Sequence, residues 1–146
     1  MKLVRGWIGA LLVFVILALA GPSSAMSAGS YEFNDFRYQA YGPIKFNTLY
    51  GTQFETSNDR DWFKFKLGRR FQMTLVFQFV GSEKFCDAEV ELFKGRRTLG
   101  FGELDGNPNS RPRKVMKKTL DKGTHYFVLR QDSSCPGGRF LFGVNK

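Results

Sequence analysis

The sequence predicts an all-β protein, an antiparallel β-sandwich or β-barrel of about eight short strands, preceded by a signal peptide. Three observations predict this fold. Apolar and polar residues alternate with a period of two through most of the chain after residue 30. Turn sequences rich in Gly, Pro, Asp and Asn separate the alternating runs. Beyond the N-terminal segment, apolar residues do not recur at the i, i+3, i+4, i+7 spacing of an amphipathic helix.

Residues 1–25 have the features of a signal peptide. Lys2 and Arg5 form a positively charged N-terminal region, and an apolar run of about 14 residues (7–20) follows. The sequence "GPSSA" then supplies small residues at positions −3 and −1 of a cleavage site after Ala25. The apolar run is shorter than the roughly 20 residues that span a bilayer, although an uncleaved N-terminal anchor is the alternative. We therefore predict secretion, to the periplasm or the medium.

The mature chain would form a single domain of about 120 residues, with 26–30 as a short N-terminal segment and 31–146 as the domain. Neither part is apolar enough for a further membrane span. Without Lys2 and Arg5, 20 basic residues face 13 acidic ones, a formal charge of about +7. Such a surface favours anionic partners, namely lipid headgroups, acidic polysaccharide, acidic protein or nucleic acid. Export argues against nucleic acid as the ordinary partner.

Cys86 and Cys135 are predicted to form a disulfide bond. Two cysteines are an even count, and an exported protein meets an oxidising compartment. Each cysteine lies in a polar stretch where a loop is expected. Two independent buried or free thiols are the alternative.

The strands of the first half differ in how clearly they alternate. Weak strands are predicted at Ile44–Tyr50 and Gln53–Glu55. Clear alternation follows in "DWFKFKL" (61–67), "RFQMTLVFQFV" (70–80) and "DAEVELF" (87–93). The residues predicted to face the core in these three strands are Phe63, Phe65 and Leu67, then Phe71, Met73, Leu75, Phe77 and Phe79, then Ala88, Val90 and Leu92.

The second half contains two weak strands and two strong ones. The weak strands are predicted at Thr98–Gly102 and Lys114–Leu120. The strong ones, "THYFVLRQ" (124–131) and "RFLFGV" (139–144), carry aromatic and β-branched residues on both faces, as expected of central strands. The 16 Phe residues supply much of the core, at roughly 1.5–3 kcal/mol for each ring that is fully buried.

Four local patterns occur in a fixed order along the mature chain. They are "YEFNDF" (31–36), "GTQFETSNDRDWFKFKL" (51–67), "VELFKGRRTL" (90–99) and "KTLDKGTHYFVLR" (118–130). Together they resemble the bacterial pre-peptidase C-terminal domain, over 31–144. In that family an Asn-Asp opening precedes a Gly-x-Ile…Asp-x-Asp-Trp-Phe strand, a Leu-Tyr-x-x-Gly hairpin and a Leu-x-x-Gly-Thr-Tyr-Tyr strand. The resemblance implies a jelly-roll-like β-sandwich.

The same resemblance implies an accessory role. Such domains are usually appended to secreted proteases and other hydrolases, and are thought to aid secretion or attachment to surfaces and substrates. The collagen-binding domains of clostridial collagenases are similar and bind calcium. This chain departs from the family in its strongly basic mature part and in Phe33, which stands where the opening usually has Pro.

Position by position, the resemblance also implies a calcium site. Glu32, Asn34 and Asp35 match the family's opening segment, while Asp59 and Asp61 match its Asp-x-Asp. Ca²⁺ takes roughly six to eight oxygen ligands, so two acidic segments brought together would supply a large part of its shell. The alternative needs no metal. In it, Asp59 caps a turn and Asp61 accepts hydrogen bonds from backbone amides at the start of the strand.

The sequence gives little indication of enzymatic activity. His125 is the only histidine, and its mid-strand position predicts an exposed or partly packed ring rather than a catalytic base. The sequence lacks a Gly-x-Ser-x-Gly nucleophile pattern and the His-x-x-x-His and Cys-x-x-Cys metal spacings. Asp59 and Asp61 lie too close in one loop to flank a substrate as a hydrolase pair. We therefore predict a protein without catalytic activity.

Two groups of residues are candidate ligand-binding surfaces. Trp62, Lys64 and Lys66, on the outward face of one strand, are suited to stack against sugar rings. The run "RPRKVMKK" (111–118) is either an exposed strand edge or a patch for anionic lipid or polysaccharide. Its basic residues are Arg111, Arg113, Lys114, Lys117 and Lys118.

These observations predict an exported, non-catalytic binding module that contacts an extracellular or envelope protein or glycan. If the calcium site is present, calcium stabilises this module. The alternative is a cationic envelope-surface protein that binds anionic lipid or polysaccharide through Arg111–Lys118.

Overall fold

The computed structural model describes residues 34–56, 58–80, 86–104, 113–131 and 137–146. These residues contain one short 3₁₀ turn, Arg37–Gln39, and eight β-strands. The strands are β1 (Leu49–Gln53), β2 (Arg60–Leu67), β3 (Phe71–Phe79), β4 (Ala88–Lys94), β5 (Arg97–Leu104), β6 (Arg113–Leu120), β7 (Gly123–Gln131) and β8 (Arg139–Asn145). The predicted signal peptide, Glu32, Arg111 and Cys135 lie outside the described residues.

The strands form two four-stranded antiparallel sheets that enclose the core. The first sheet has the order β1-β8-β3-β6 and the second the order β2-β7-β4-β5. Every pairing between neighbouring strands is antiparallel. The predicted β-sandwich is confirmed, and β7 and β8 are central strands as their two-sided apolar character indicated.

The weak strands predicted at Ile44–Tyr50 and Gln53–Glu55 are wrong. The chain forms one strand there, Leu49–Gln53. Ile44 lies outside the strands. Its backbone N–H donates a hydrogen bond to the carbonyl of Lys64, on the edge of β2, at 2.9 Å. A turn with a positive φ of 57° at Asn47 separates that contact from β1.

The core includes the inward residues that alternation predicted, all of them buried except the half-buried Phe71, together with apolar residues of the other strands. Its centre is a cluster of phenylalanine rings. The ring centroids of Phe63 and Phe142 are 4.2 Å apart, and the ring of Phe127 lies 5.3 Å from the first and 5.6 Å from the second. Since Phe142 belongs to the first sheet and the other two to the second, this cluster holds the two sheets together.

The predicted placement of His125 is wrong. Its side chain is 0% exposed and stacks on the ring of Phe65, with centroids 5.4 Å apart. His125 shares the inward face of β7 with Phe127, and alternation could not show this because the strand is apolar on both faces. Burial lowers the pKa of His125, so the ring is neutral in the core.

The edge of β2 is covered by the chain that precedes β1. The backbone N–H of Tyr41 donates to the carbonyl of Trp62 at 2.9 Å, and the N–H of Lys64 donates to the carbonyl of Tyr41 at 2.8 Å. Gly42 allows this close approach, since a Cβ there would collide with the carbonyl oxygen of Lys64. The N-terminal segment is therefore fixed beside the Asp-x-Asp strand.

Candidate functional site

Asp59 caps the turn that leads into β2. One carboxylate oxygen, Oδ2, accepts a hydrogen bond from the backbone N–H of Glu55 at 2.7 Å, and Oδ1 accepts from the N–H of Arg60 at 2.8 Å. The N–H of Asp59 itself donates to the carbonyl of Thr56 at 3.2 Å. Half of the metal-free alternative, the turn cap, is therefore present in the structure.

The position of Asp61 differs from the one predicted by the metal-free alternative. Its side chain lies on the core side of β2, is 4% exposed, and accepts a hydrogen bond from the Thr52 hydroxyl at 2.6 Å rather than from backbone amides. Burial raises the pKa of Asp61 to about 7, against the lowering effect of the Thr52 hydrogen bond. The like charges of Asp59, Asp35 and Glu55 raise it further.

Asn34 joins the opening segment to this strand. It is 2% exposed, its Nδ2 donates to the carbonyl of Trp62 at 3.0 Å, and its own carbonyl accepts from the N–H of Trp62 at 3.0 Å. Its Oδ1 is buried and has no hydrogen-bond partner in the described part of the chain. The opening segment and the Asp-x-Asp strand therefore meet, as the resemblance implied.

The described side chains do not make up a calcium shell by themselves. Within the described ranges, no three His, Cys, Asp or Glu residues are grouped closely enough to hold a metal ion. Both oxygens of Asp59 already accept backbone hydrogen bonds. Asn34 Oδ1 is an oxygen suited to a cation, but Glu32, the remaining predicted ligand, lies outside the described residues.

A cavity of about 470 Å³ opens where these segments meet, and we call it the corner cavity. Trp62 and Phe36 contribute aromatic surface to its wall, and Asp35 and Asp59 contribute carboxylates. Phe36 and Asp35 are exposed, so the cavity is accessible from solvent. The residues that line it are Asp35, Phe36, Arg37, Thr56, Asn58, Asp59, Arg60 and Trp62.

Arg37 lies over the aromatic rings beside this cavity, and sequence analysis did not identify this contact. The guanidinium carbon of Arg37 lies 4.4 Å from the ring centroid of Tyr126, 5.4 Å from that of Phe93 and 5.8 Å from that of Trp62. The rings of Trp62 and Phe93 are themselves 5.3 Å apart. The sequence did show an outward aromatic residue on each of three neighbouring strands. It could not show that Arg37, from the 3₁₀ turn, would contact all three rings.

Lys64 and Lys66 lie on the same outward face as Trp62 but do not line the corner cavity. Lys64 is half-buried and opposite Tyr126, and Lys66 is exposed and opposite Thr124. The predicted group of three therefore divides into a tryptophan at the cavity and two lysines further along the strand.

The basic run lies on β6, an edge strand of the first sheet. Lys117 is exposed and opposite Thr74. Lys118 reaches across to the second sheet, where its Nζ donates to the carbonyl of Leu99. Arg113 and Lys114 belong to β6 by their backbone, and the side chains of both, like the whole of Arg111, lie outside what the structure describes.

Cys86 is 1% exposed and lies directly before β4. The part of the chain that the structure describes contains no free cysteine. Ala88, two residues after Cys86, pairs with Gln131 at the end of β7. The pairing of the two cysteines stays a prediction, because Cys135 lies outside the described residues.

None of the described segments forms a helix that is long and apolar enough to cross a membrane.

Comparison with known proteins shows a similarity of fold. No family model matches the chain, and no curated protein matches it. Among solved structures, the chain is similar to the pre-peptidase C-terminal domain of a collagenase from Bacillus anthracis, with a TM-score of 0.55 and 12% sequence identity. The similarity covers 70% of this chain and 91% of that domain. At this identity it shows the fold alone, and the chain has the fold of a pre-peptidase C-terminal domain, as its motifs indicated.

Proposed function

We propose that the chain is an exported, non-catalytic attachment module that binds a glycan in the corner cavity. The observation that carries the proposal is the composition of the cavity wall, in which two aromatic side chains stand beside carboxylates, an amide and guanidinium groups. The fold is consistent with an attachment role, since the similar domain is the pre-peptidase C-terminal domain of a collagenase.

The chemistry of the wall suits a sugar ring. A pyranose has an apolar face of C–H groups, which stacks on an aromatic ring, and a rim of hydroxyls. Trp62 and Phe36 offer the aromatic surfaces, and the carboxylates of Asp35 and Asp59 are acceptors for hydroxyl donors. The volume of about 470 Å³ falls within the roughly 300–1,000 Å³ of small-ligand sites.

A binding role rather than a catalytic one is supported by the placement of the titratable side chains. His125 is packed in the core, and Asp61 is held by Thr52 and does not line the cavity. Asp59 is fixed as a turn cap by two backbone hydrogen bonds. The wall therefore provides fixed hydrogen-bonding groups around an aromatic surface.

Removing either aromatic side chain should weaken glycan retention. We expect Trp62→Ala and Phe36→Ala each to lower affinity for the bound polysaccharide roughly fivefold to 150-fold in affinity electrophoresis or calorimetry, because each loses about 1–3 kcal/mol of ring stacking. Phe101→Ala is the matched control, since Phe101 is 49% exposed on the same sheet but lies outside the corner cavity. Equal retention of all three variants on every glycan tested would refute the proposal.

Calcium at this corner is a second part of the proposal, and it requires an oxygen ligand from outside the described residues, with Glu32 as the predicted source. The unpartnered Oδ1 of Asn34 and the exposed carboxylate of Asp35 support it. We expect millimolar Ca²⁺ to give a saturable binding heat at pH 7.5, and Glu32→Gln to weaken it. Mg²⁺, which prefers a stricter octahedral shell, is the control ion. Absence of binding heat at millimolar Ca²⁺ would remove calcium from the account.

A second candidate function is favoured by the charge distribution between the sheets. The four strands of the first sheet contain no Asp or Glu, whereas the described strands of the second sheet contain Asp61, Glu89, Glu91 and Glu103. Lys117 and Arg139 are exposed on the first sheet. This asymmetry supports the cationic envelope-surface alternative, in which the first sheet faces anionic lipid or polysaccharide.

Salt dependence separates the two candidates. Binding to vesicles containing phosphatidylglycerol should fall steeply as salt rises, because the Debye length shrinks from about 10 Å at 0.1 M to about 3 Å at 1 M. Lys117→Glu should weaken that binding severalfold, and Lys66→Glu on the other sheet is the control of equal charge change. Vesicle binding that does not change with salt concentration, or that both variants weaken equally, would contradict the cationic envelope-surface function.

A further inference from the structure

His125 is buried without hydrogen-bond partners near one end of the core, where its ring stacks on the apolar ring of Phe65 from β2. The side chain is 0% exposed, and neither Nδ1 nor Nε2 has a hydrogen-bond partner among the described residues. A neutral imidazole carries one donor and one acceptor, whereas a protonated imidazole carries two donors and a positive charge. Because an unpaired buried charge costs far more free energy than an unpaired buried dipole, the core accepts the neutral ring and disfavours the charged one.

Two charged side chains act on the ring, and their effects oppose each other. Burial has the largest effect and lowers the pKa of His125, and the ammonium group of Lys94 at the end of β4 lowers it further. The backbone of Gly123 and the carboxylate of Asp121 raise the pKa, although the backbone lies outside hydrogen-bond geometry. Lys118 of β6 is directed to a backbone carbonyl of β5 instead. The net effect of these surroundings favours the neutral ring.

The end of the sandwich near His125 contains the turns 68–70, 95–96 and 121–122, and we call it the turn end. Contacts between exposed groups join these turns. Nζ of Lys94 donates to the carbonyl of Lys122 at 3.1 Å, and Nε of Arg70 lies 3.7 Å from Oδ1 of Asp121, with both side chains more than two-thirds exposed. Exposed pairs of this kind contribute little stability, so the turn end can open at a lower cost than the ring cluster at the centre.

Acidification acts in opposite directions at the two ends of the β2–β7 pair. Asp61 pairs with Leu129 at the corner end, and His125 pairs with Phe65 near the turn end. Because the folded pKa of His125 lies below 6.5, its stabilising contribution is complete above pH 6.5 and is lost as the pH falls through the folded pKa. Asp61, whose folded pKa is raised to about 7, gains stability as the pH falls.

We propose that His125 is an acid-sensitive switch that opens the turn end of the sandwich while the corner end stays closed. In the open state the start of β7 separates from the end of β2, and the imidazole reaches water and binds a proton. The corner cavity lies at the other end of β2, so its walls keep their places while the turn end loosens.

Hydrogen exchange along β7 tests the switch, because this strand runs from the turn end to the corner end. Between pH 7 and pH 5 we expect the protection factors of the amides of 124–127, corrected for intrinsic exchange, to fall by roughly fivefold to 25-fold. The upper limit belongs to a ring that stays neutral when folded and has its ordinary pKa when exposed. The amides of 128–131 should keep their protection. His125→Phe, which keeps an aromatic ring against Phe65 and cannot bind a proton, should remove the acid effect.

His125 is the only histidine of the chain, so its imidazole signal in NMR spectra needs no assignment. We expect that signal to titrate with a midpoint below pH 6.5, together with the loss of protection in 124–127. Titration near pH 6.5 with unchanged protection would overturn the switch. It would also be overturned by equal protection at both pH values, by an equal fall along the whole of β7, or by the same fall in His125→Phe. His125→Gln, which is also uncharged, takes the place of His125→Phe if that variant fails to fold.

Discussion

Phe142→Ala is expected to lower the free energy of unfolding by about 3–5 kcal/mol, which is the range for removing a fully buried aromatic ring. Phe142 is 0% exposed and lies between the two sheets, with its ring 4.2 Å from that of Phe63 and 5.7 Å from that of Tyr50. Its removal leaves a cavity where the sheets meet, and the neighbouring rings cannot all move to fill it. Denaturant unfolding followed by tryptophan fluorescence measures the loss.

The matched control for this substitution is Phe101→Ala. Phe101 is 49% exposed on an outer face, so its truncation should change stability by no more than roughly 0.5–1 kcal/mol. If both variants lost the same stability, the phenylalanine cluster between the sheets would not be the centre of the fold.

Asp61→Asn is expected to remove a large part of the pH dependence of stability. The pKa of Asp61 rises from 3.8 to about 7 in the folded protein, mainly because the carboxyl is buried. A shift of that size corresponds to roughly 4 kcal/mol at 1.36 kcal/mol per unit. Because the folded pKa is the higher one, the protonated carboxyl favours the folded state.

The direction of the effect follows from that order of pKa values. The contribution of Asp61 to stability is complete below pH 3.8, decreases as the pH rises to about 7, and changes no further above it. Unfolding free energies of the two proteins, measured from pH 4 to pH 8 with a chelator present, should therefore diverge in favour of Asp61→Asn as the pH rises. Asp121→Asn, at a 72% exposed side chain, is the control and should run parallel to the unmodified protein. A parallel course for Asp61→Asn as well would show that Asp61 is ionised in the fold.

The sequence was sufficient for most of the strands, because in a sandwich most strands have one face toward solvent and one toward the core. In β3, Gln72 and Gln78 mark the wet face, and the inward residues could be assigned without ambiguity. In β7 both faces are apolar, so the polar reference was missing and His125 could not be placed. The segment around Tyr41 was missed for another reason, since its hydrogen bonds reach Trp62 and Lys64, some 20 residues along the chain.

The candidate site was predictable in outline and not in detail. The motifs indicated that Asn34 would meet the Asp-x-Asp strand, and it does. The motifs did not indicate that Asp61 lies on the core side of β2, where it accepts a hydrogen bond from the Thr52 hydroxyl. The contact of Arg37 with three aromatic rings has no local pattern, because each ring comes from a different strand.

The predicted mature form, residues 26–146, has a single tryptophan, Trp62, since the other tryptophan of the chain, Trp7, lies in the predicted signal peptide. Its fluorescence therefore reports on the surroundings of Trp62, which include the corner cavity. Titration of residues 26–146 with a glycan that they retain should change the emission of Trp62 saturably, with the same dissociation constant that calorimetry gives. Calorimetric binding of that glycan with the Trp62 emission unchanged would place the binding site elsewhere and contradict the account.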